Sequence, residues 1–333
     1  MSASEGPKDP SEVALFFWLT WLIIVLITSF LGDVTILVAS IRYGALKLHS
    51  VIVVIIQNIA ISDLIITTTC VLPQSIAMAA ESKELDQKAL SYPLVYGPYL
   101  GFLSSKLFVL ALIVAKWLIL KYPLKARTWT ESRGRRLCGV IWVFCVLCQA
   151  RFFVGGVGDI KFDRLIFRYN YAYSHPVWRS WLSLTYFTLT TYIPNLVIFT
   201  LTLFLIKHLL HARKVTSRTR GNLRWQGMLT VVVTATVYSL SYLPYATFFA
   251  VRSQIPPAVK ANVFRFAATC GYFNIVCNFF IYSLTVQSFN SFLKVTLRNV
   301  TGFEFSGNAR SRVSTTGESR DQVTKKASSE TNV

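Results

Sequence analysis

Charge is scarce in this chain. Only 15% of its 333 residues are Asp, Glu, Lys or Arg, where a soluble globular domain carries ~25%. Acid is scarcer than base: 15 Asp and Glu stand against 34 Lys and Arg, a formal net charge of +19. Cysteine is missing from the polar segments. Cys70, Cys138, Cys145, Cys148, Cys270 and Cys277 all fall inside hydrophobic runs, so no secreted-type disulfide framework is implied and buried thiols are expected. Enzyme signals are absent too. There is no Gly-x-Ser-x-Gly motif, and His208 and His211 lie in a basic segment with no carboxylate or cysteine to complete a metal site. No enzyme activity, metal or cofactor is expected. No repeat of 20–50 residues and no second soluble domain stand out.

What is present is apolar length. Hydrophobic residues make up 53% of the chain and aromatics 14%, the balance of a membrane protein. A helix needs ~20 mostly apolar residues to span a bilayer. Seven stretches qualify, at roughly 13–41, 51–80, 89–120, 137–154, 180–206, 225–251 and 261–284. The fourth is the shortest, and the segment after it, 155–179, reads as irregular. Pro73, Pro194 and Pro244 lie within runs, which membrane helices tolerate when neighbours satisfy the freed carbonyls. The basic excess sits between runs, as on one membrane face, rather than in a stripe suited to nucleic acid, so no nucleic-acid partner is expected.

Orientation follows from those bases. The connections at 42–50, 121–136 and 207–224 carry 2, 6 and 6 Lys or Arg with Glu131 their only acid. The opposite segments 1–12, 81–90, 155–179 and 252–265 carry 10 bases and 8 acids. The positive-inside rule makes the first set cytoplasmic, the N-terminus extracellular and the C-terminus cytoplasmic. The opening MSASEGPKDPSEV lacks a basic n-region and short apolar core, so the first span is expected to act as signal anchor. The sequon at Asn299 then lies in the cytosol, a chance match.

Asp33 and Asp63 are the only acids within the runs; Lys106 and Lys116 are the clearest bases there. A charge in hydrocarbon costs ~3 kcal/mol or more at the bilayer centre, so such residues face the bundle interior and mark function, or neutralise one another.

In order along the chain stand Gly32-Asp33, the stretch NIAISDL with Asp63, AKWLILKYPLK with Lys116, Trp142, Pro194, SYLP at 241–244 and NFFIY at 278–282. SFNSFLKVTLR then places Phe289, Phe292, Leu293 and Leu297 at helical spacing, an amphipathic helix over 285–298 expected to lie along the membrane. Over residues 13–298 this set resembles the rhodopsin-like (class A) family of G-protein-coupled receptors, as a divergent member. The resemblance implies an all-α bundle of seven transmembrane helices at 13–284, in the plasma membrane. It implies partners as well: a small-molecule or lipid ligand, membrane lipids, a heterotrimeric G protein and arrestin. Residues 1–12 would be an extracellular N-terminus too short for a binding ectodomain, and 299–333 a polar, disordered cytoplasmic tail.

The resemblance also assigns residues. Lys116 takes the place of the arginine in the family's Asp-Arg-Tyr, with Ala115 for the acid, Trp117 beside it, Pro123 for the proline that follows and Arg224 at a sixth-span position where an acid sometimes sits. This G-protein-coupling set lacks the usual restraining ion pair, so raised basal activity or weak coupling is expected. Tyr242 replaces the switch tryptophan beside Pro244, and Phe279 replaces the proline of the seventh-span motif, whose Asn278 and Tyr282 remain. Ser91 stands at the third-span cysteine, so the family's outer disulfide is expected to be absent and the loop after the fourth span freer. Asp63, Ser105, Asn274 and Asn278 match a sodium pocket, beside Asp33. Two readings of Lys106 stay open: its ammonium pairs with Asp63 or Asp33 in place of sodium, or it turns toward the outer cavity. Implied ligand-pocket residues are Tyr99, Phe102, Tyr186, Thr190, Tyr245, Phe249, Phe264 and Tyr272. Pro98 at the amine receptors' aspartate disfavours an amine ligand, and Tyr272 at the opsins' lysine rules out a retinal Schiff base. Arg252, Lys260 and Arg265 suit an anionic or lipid-like ligand, or form a solvated basic rim.

In the tail, Ser314, Thr315, Thr316 and Ser319 are candidate kinase targets. The terminal ETNV offers Thr331 and Val333 to a PDZ domain by strand addition. The competing functions are a non-signalling seven-helix binder or scaffold and, behind it, a transporter, for which duplicated interrupted spans are missing.

Overall fold

The computed structural model describes residues 12–42, 49–79, 88–126, 128–150, 158–163, 168–173, 185–215, 221–251 and 254–301. Arg252 and the tail residues Ser314, Thr315, Thr316, Ser319, Thr331 and Val333 lie outside them, as do the side chains of Pro123, Arg224 and Phe249. The chain divides into two units, Met1–Leu293 and Lys294–Val333. The described part of the second, 294–301, is helical.

The first unit is a helix bundle. The first span is a helix over Glu12–Arg42. The second runs Ser50–Ile66, a π-helical turn Thr67–Val71, then Leu72–Ala79. The third is Lys88–Lys121, followed by a short helix Pro123–Ala126. The fifth contains a π-helical turn Thr188–Tyr192 and continues as Ile193–Val215. The sixth is Gly221–Val251, the seventh Pro257–Thr285, and Gln287–Thr301 follows as a separate helix. Six of these spans are long and apolar enough to cross a membrane.

The fourth helix, Glu131–Gln149, begins six residues before the expected 137, because Arg133, Arg135 and Arg136 join it. Those bases lower its average hydropathy. At 1.5 Å per residue its 19 residues reach ~28 Å, close to the hydrocarbon thickness. Thr130 at its N-cap is extended, and Glu131 in the first turn meets Arg135 at 2.5 Å. Seven helices therefore cross, and the chain is a multi-pass membrane protein.

Prolines shape two spans in the same way. Pro73 and Pro194 each sit two residues after the end of a π-helical turn. Proline has no N–H to give and its ring crowds the carbonyl four residues back, so the preceding turn widens. In both turns the bond that closes is five residues long: Leu72 N–H to Thr67 O and Ile193 N–H to Thr188 O.

The segment after the fourth span is not wholly irregular. Gly158–Asp163 and Arg168–Tyr173 form an antiparallel hairpin, with Ile160 opposite Tyr171 and Phe162 opposite Tyr169. Ile160 and Phe162 alternate with Asp159, Lys161 and Asp163, the period-two pattern of a strand. Ile160 packs with Val95, Tyr96 and Tyr99 of the third span.

Polarity is distributed inside out. Val140, Phe266 and Leu284 are 67%, 65% and 82% exposed, whereas Asp33, Asp63 and Lys106 are at most 1% exposed. That arrangement suits lipid outside and satisfied polar groups within. Close approach of the second and third spans depends on glycine. A Cβ on Gly97 would meet Thr69 at 2.4 Å, and one on Gly101 would meet Ile66 at 2.6 Å, the small-residue packing of membrane helices. Gly139 of the fourth helix has nothing within 4 Å of such a Cβ. Gly101→Leu should therefore cost ~1–3 kcal/mol by overpacking, visible as a lower thermal midpoint of the solubilised protein. Gly139→Leu should leave that midpoint near wild type.

Candidate functional site

Three clusters occupy the bundle axis. Midway lies a carboxylate pair. Asp63 of the second span accepts from Asn278 Nδ2 at 2.6 Å and Ser105 Oγ at 3.1 Å. Asp33 accepts from Ser29 Oγ at 3.0 Å, and Ser29 lies 2.7 Å from Thr67 Oγ1. No cation pairs with either carboxylate among the described residues. Asn274, also buried, leaves its Oδ1 without a partner. A buried amide oxygen without a partner and the carboxylates of Asp33 and Asp63 are the hard oxygen donors that a small cation such as sodium takes.

Lys106 is not that cation. Its ammonium donates to the Thr190 carbonyl at 2.8 Å and Thr191 Oγ1 at 3.1 Å, and lies 4.2 Å from the centre of the Tyr242 ring. Of the two readings left open, the pairing with Asp63 or Asp33 is not made: Lys106 turns to the fifth span and lines the cavity described next. The reason is local. Thr190 lies four residues before Pro194, which has no N–H to donate there, and the lysine takes up that carbonyl.

The second cluster is aromatic and lies in the half of the bundle away from Lys116. Tyr99, Phe102, Tyr186, Thr190 and Tyr245, all expected pocket residues, line one cavity together with Lys106, Thr191 and Tyr242. The cavity holds about 20 Å³, room for a single water. Phe102 packs on Tyr242 at 5.6 Å and on Tyr245 at 5.1 Å, and Tyr242 stacks on Tyr238 at 5.7 Å. Tyr186 exchanges hydrogen bonds with Gln149 of the fourth helix, at 2.9 and 3.2 Å.

Two expected pocket residues are placed elsewhere. Tyr272 faces the first and second spans, stacking on Trp18 and donating to Gln74 Oε1 at 3.2 Å, with Cys70 Sγ at 3.1 Å. Phe264 packs edge-on against Phe248 at 5.3 Å. Of the basic rim, Lys260 is half-buried, and Arg265 is buried with Nη1 on Asn262 Oδ1 at 3.3 Å. A larger groove of about 560 Å³ runs along the third and fourth helices, lined by residues such as Leu110, Val114 and Phe144 with Arg133 at its edge. Val140 and Phe144, 67% and 52% exposed, open it toward lipid, so it is not an interior ligand site.

The third cluster surrounds the end that carries Lys116. Lys116 is half-buried and meets no carboxylate among the described residues, and Ala115 beside it is buried. Trp117 is covered by Lys121, whose Nζ lies 4.8 Å from the ring centre. Thr230 of the sixth span donates to Thr285 of the seventh at 2.7 Å, and Asn290 Nδ2 ties the last helix to Ser283 O at 3.1 Å. Phe289 is fully buried against Phe279 and Phe292. Pro244 lies inside the sixth helix, and Tyr192 OH donates to Ala246 O nearby at 3.4 Å. Buried polar atoms of Asn195, Tyr238 and Asn278 find no hydrogen-bond partner among the described residues.

Sequence reasoning missed Thr191, Tyr238, Gln149 and Ser29. Pro194 gave a usable signal for the Thr190 carbonyl; nothing local pointed to the others. The motif residues Asn58 and Trp142 do meet: the indole N–H donates to Asn58 Oδ1 at 2.8 Å, and Phe108 packs edge-on at 5.5 Å.

Seven lipid-facing helices around buried ionic and aromatic clusters define the class: a seven-helix membrane receptor. A family model described as 7 transmembrane receptor (rhodopsin family) matches residues 32–282, more than half of the chain. The chain belongs to that family, the class A G-protein-coupled receptors. The comparison with curated proteins gave no match.

Asn278→Ala should strip Asp63 of its shorter hydrogen bond and cost ~1–3 kcal/mol. Ser105→Ala, which removes the longer one, should cost less. Thermal unfolding of both variants checks the order.

Proposed function

We propose that this protein is a plasma-membrane receptor that binds a small ligand within its bundle and signals to a heterotrimeric G protein. Membership of the family supports a receptor in general. The observation that carries the finer reading is the continuity of the clusters. The aromatic cavity touches Lys106, and Lys106 holds the widened turn of the fifth span. Tyr242 passes from that cavity to Tyr238, whose own hydroxyl is among the buried polar atoms without a partner. Unpaired buried polar groups are costly, so a rearrangement of spans five to seven that pairs them is favoured once a ligand opens the cavity.

The positive-inside count puts Lys116 and the C-terminus in the cytosol and the hairpin outside. The last helix, with Phe289 and Phe292, would then lie along the inner leaflet, and the tail would meet arrestin and, through Thr331 and Val333, a PDZ domain. Sodium would be held at Asp63 with Ser105, Asn274 and Asn278, beside Asp33, supplying the charge that the carboxylate pair lacks. Sodium in place of N-methylglucamine should raise the thermal midpoint of wild type and leave Asp63→Asn unmoved.

A non-signalling binder on the same fold is the second reading, favoured by Lys116: a point charge without the planar fork of arginine and without an acid beside it. A ligand screen read out by G-protein dissociation separates the two, since ligand uptake without dissociation defeats the signalling reading. Ligand-free signalling should be raised in wild type and lower in Lys116→Arg; equal, fully inducible behaviour in both would remove the role given to Lys116.

A further inference from the structure

The Lys106 ammonium is 1% exposed, and no carboxylate meets it among the described residues. The two acids of the spans are engaged elsewhere, by Ser29, Ser105 and Asn278. Its environment is made only of dipoles: one carbonyl, one hydroxyl and one aromatic face. Two of its three donors are taken by Thr190 and Thr191, the Tyr242 ring lies 4.2 Å away, and the residue lines the small aromatic cavity. A buried charge held by neutral groups alone is costly, and the cost falls when an opposite charge arrives.

We propose that this cavity receives the carboxylate of a small, singly charged organic acid with an apolar or aromatic body, and that Lys106 is its counter-ion. The inference rests on the receptor reading and names the ligand class of the same site. Charge count selects a monoanion. Among the described residues Lys106 is the only cation lining the cavity, so a phosphate dianion would bring a second charge with no described cation to meet it. The walls select the body. Phe102, Tyr99, Tyr186 and Tyr245 present aromatic faces, which suit an aryl or alkyl group. At about 20 Å³ the cavity is too small for such a body, so entry displaces Phe102 and Tyr245 from their mutual contact. A carboxylate on Lys106 competes with the Thr190 carbonyl and Thr191 hydroxyl for its protons. That loosens the tie between the third span and the widened turn of the fifth, coupling ligand charge to helix movement.

The test uses the full-length protein and a panel of phenylalkanoic and straight-chain alkanoic acids, each beside its own primary amide. Binding is read by thermal shift on purified protein and signalling by G-protein dissociation in cells. At least one acid should bind wild type about thirtyfold or more tightly than its amide. Lys106→Met should lose that acid preference, and Lys106→Arg should retain part of it. Equal binding of acids and amides, an undiminished acid preference in Lys106→Met, or no binding by any acid overturns the proposal. Should Lys106→Met fail to fold, the acid-to-amide ratio on wild type decides alone. An acid that binds without G-protein dissociation upholds the site while defeating the signalling reading. An uncharged ligand that signals equally through wild type and Lys106→Met upholds signalling while defeating the site.

Discussion

The hydrogen bond from the Lys106 ammonium to the Thr190 carbonyl, 2.8 Å long, joins the features on which this bundle turns. Pro194 cannot donate an N–H, so the turn before it widens and exposes an acceptor deep in hydrocarbon. No water-facing loop can satisfy that acceptor, and the third span does so with a charge. The same contact sets Lys106 against the Tyr242 ring and away from the aspartates. A single missing backbone donor thereby fixes the position of the only fully buried base described in the spans.

That placement separates two centres of opposite character. Asp33 and Asp63 take their hydrogen bonds from Ser29, Ser105 and Asn278, and Lys106 stands in the lining of the aromatic cavity. The separation is also why the second and third spans must approach so closely at Gly97 and Gly101: Ser105 reaches Asp63 across that contact. Backbone proximity, not side-chain length, brings the hydroxyl within 3.1 Å.

At the other end the departures from the family pattern gain a physical meaning. Ala115 is buried where the family places an acid, so Lys116 has no local charge to hold it. Tyr282 and Asn278 keep their motif positions, yet Asn278 Oδ1 lacks a hydrogen-bond partner among the described residues. A bundle with unspent hydrogen-bonding capacity in its interior has an alternative arrangement of similar free energy within reach, the condition for a ligand to shift it.

Much of this was written in the sequence. Seven apolar runs determined the number of helices, because hydropathy is a local property, and motifs such as NIAISDL with Asp63 carried the family resemblance, which in turn implied the grouping of Asp63 with Ser105 and Asn278. The helical start at Glu131 and the hairpin at Gly158–Asp163 were weaker signals of the same kind, masked by charge. Only the tertiary structure decided where long side chains point: Lys106 to the fifth span, Tyr272 to the first and second, Phe264 to Phe248. A lysine stem can reach several neighbours at nearly equal cost, and the choice among them is made by which carbonyl a distant proline has left unpaired.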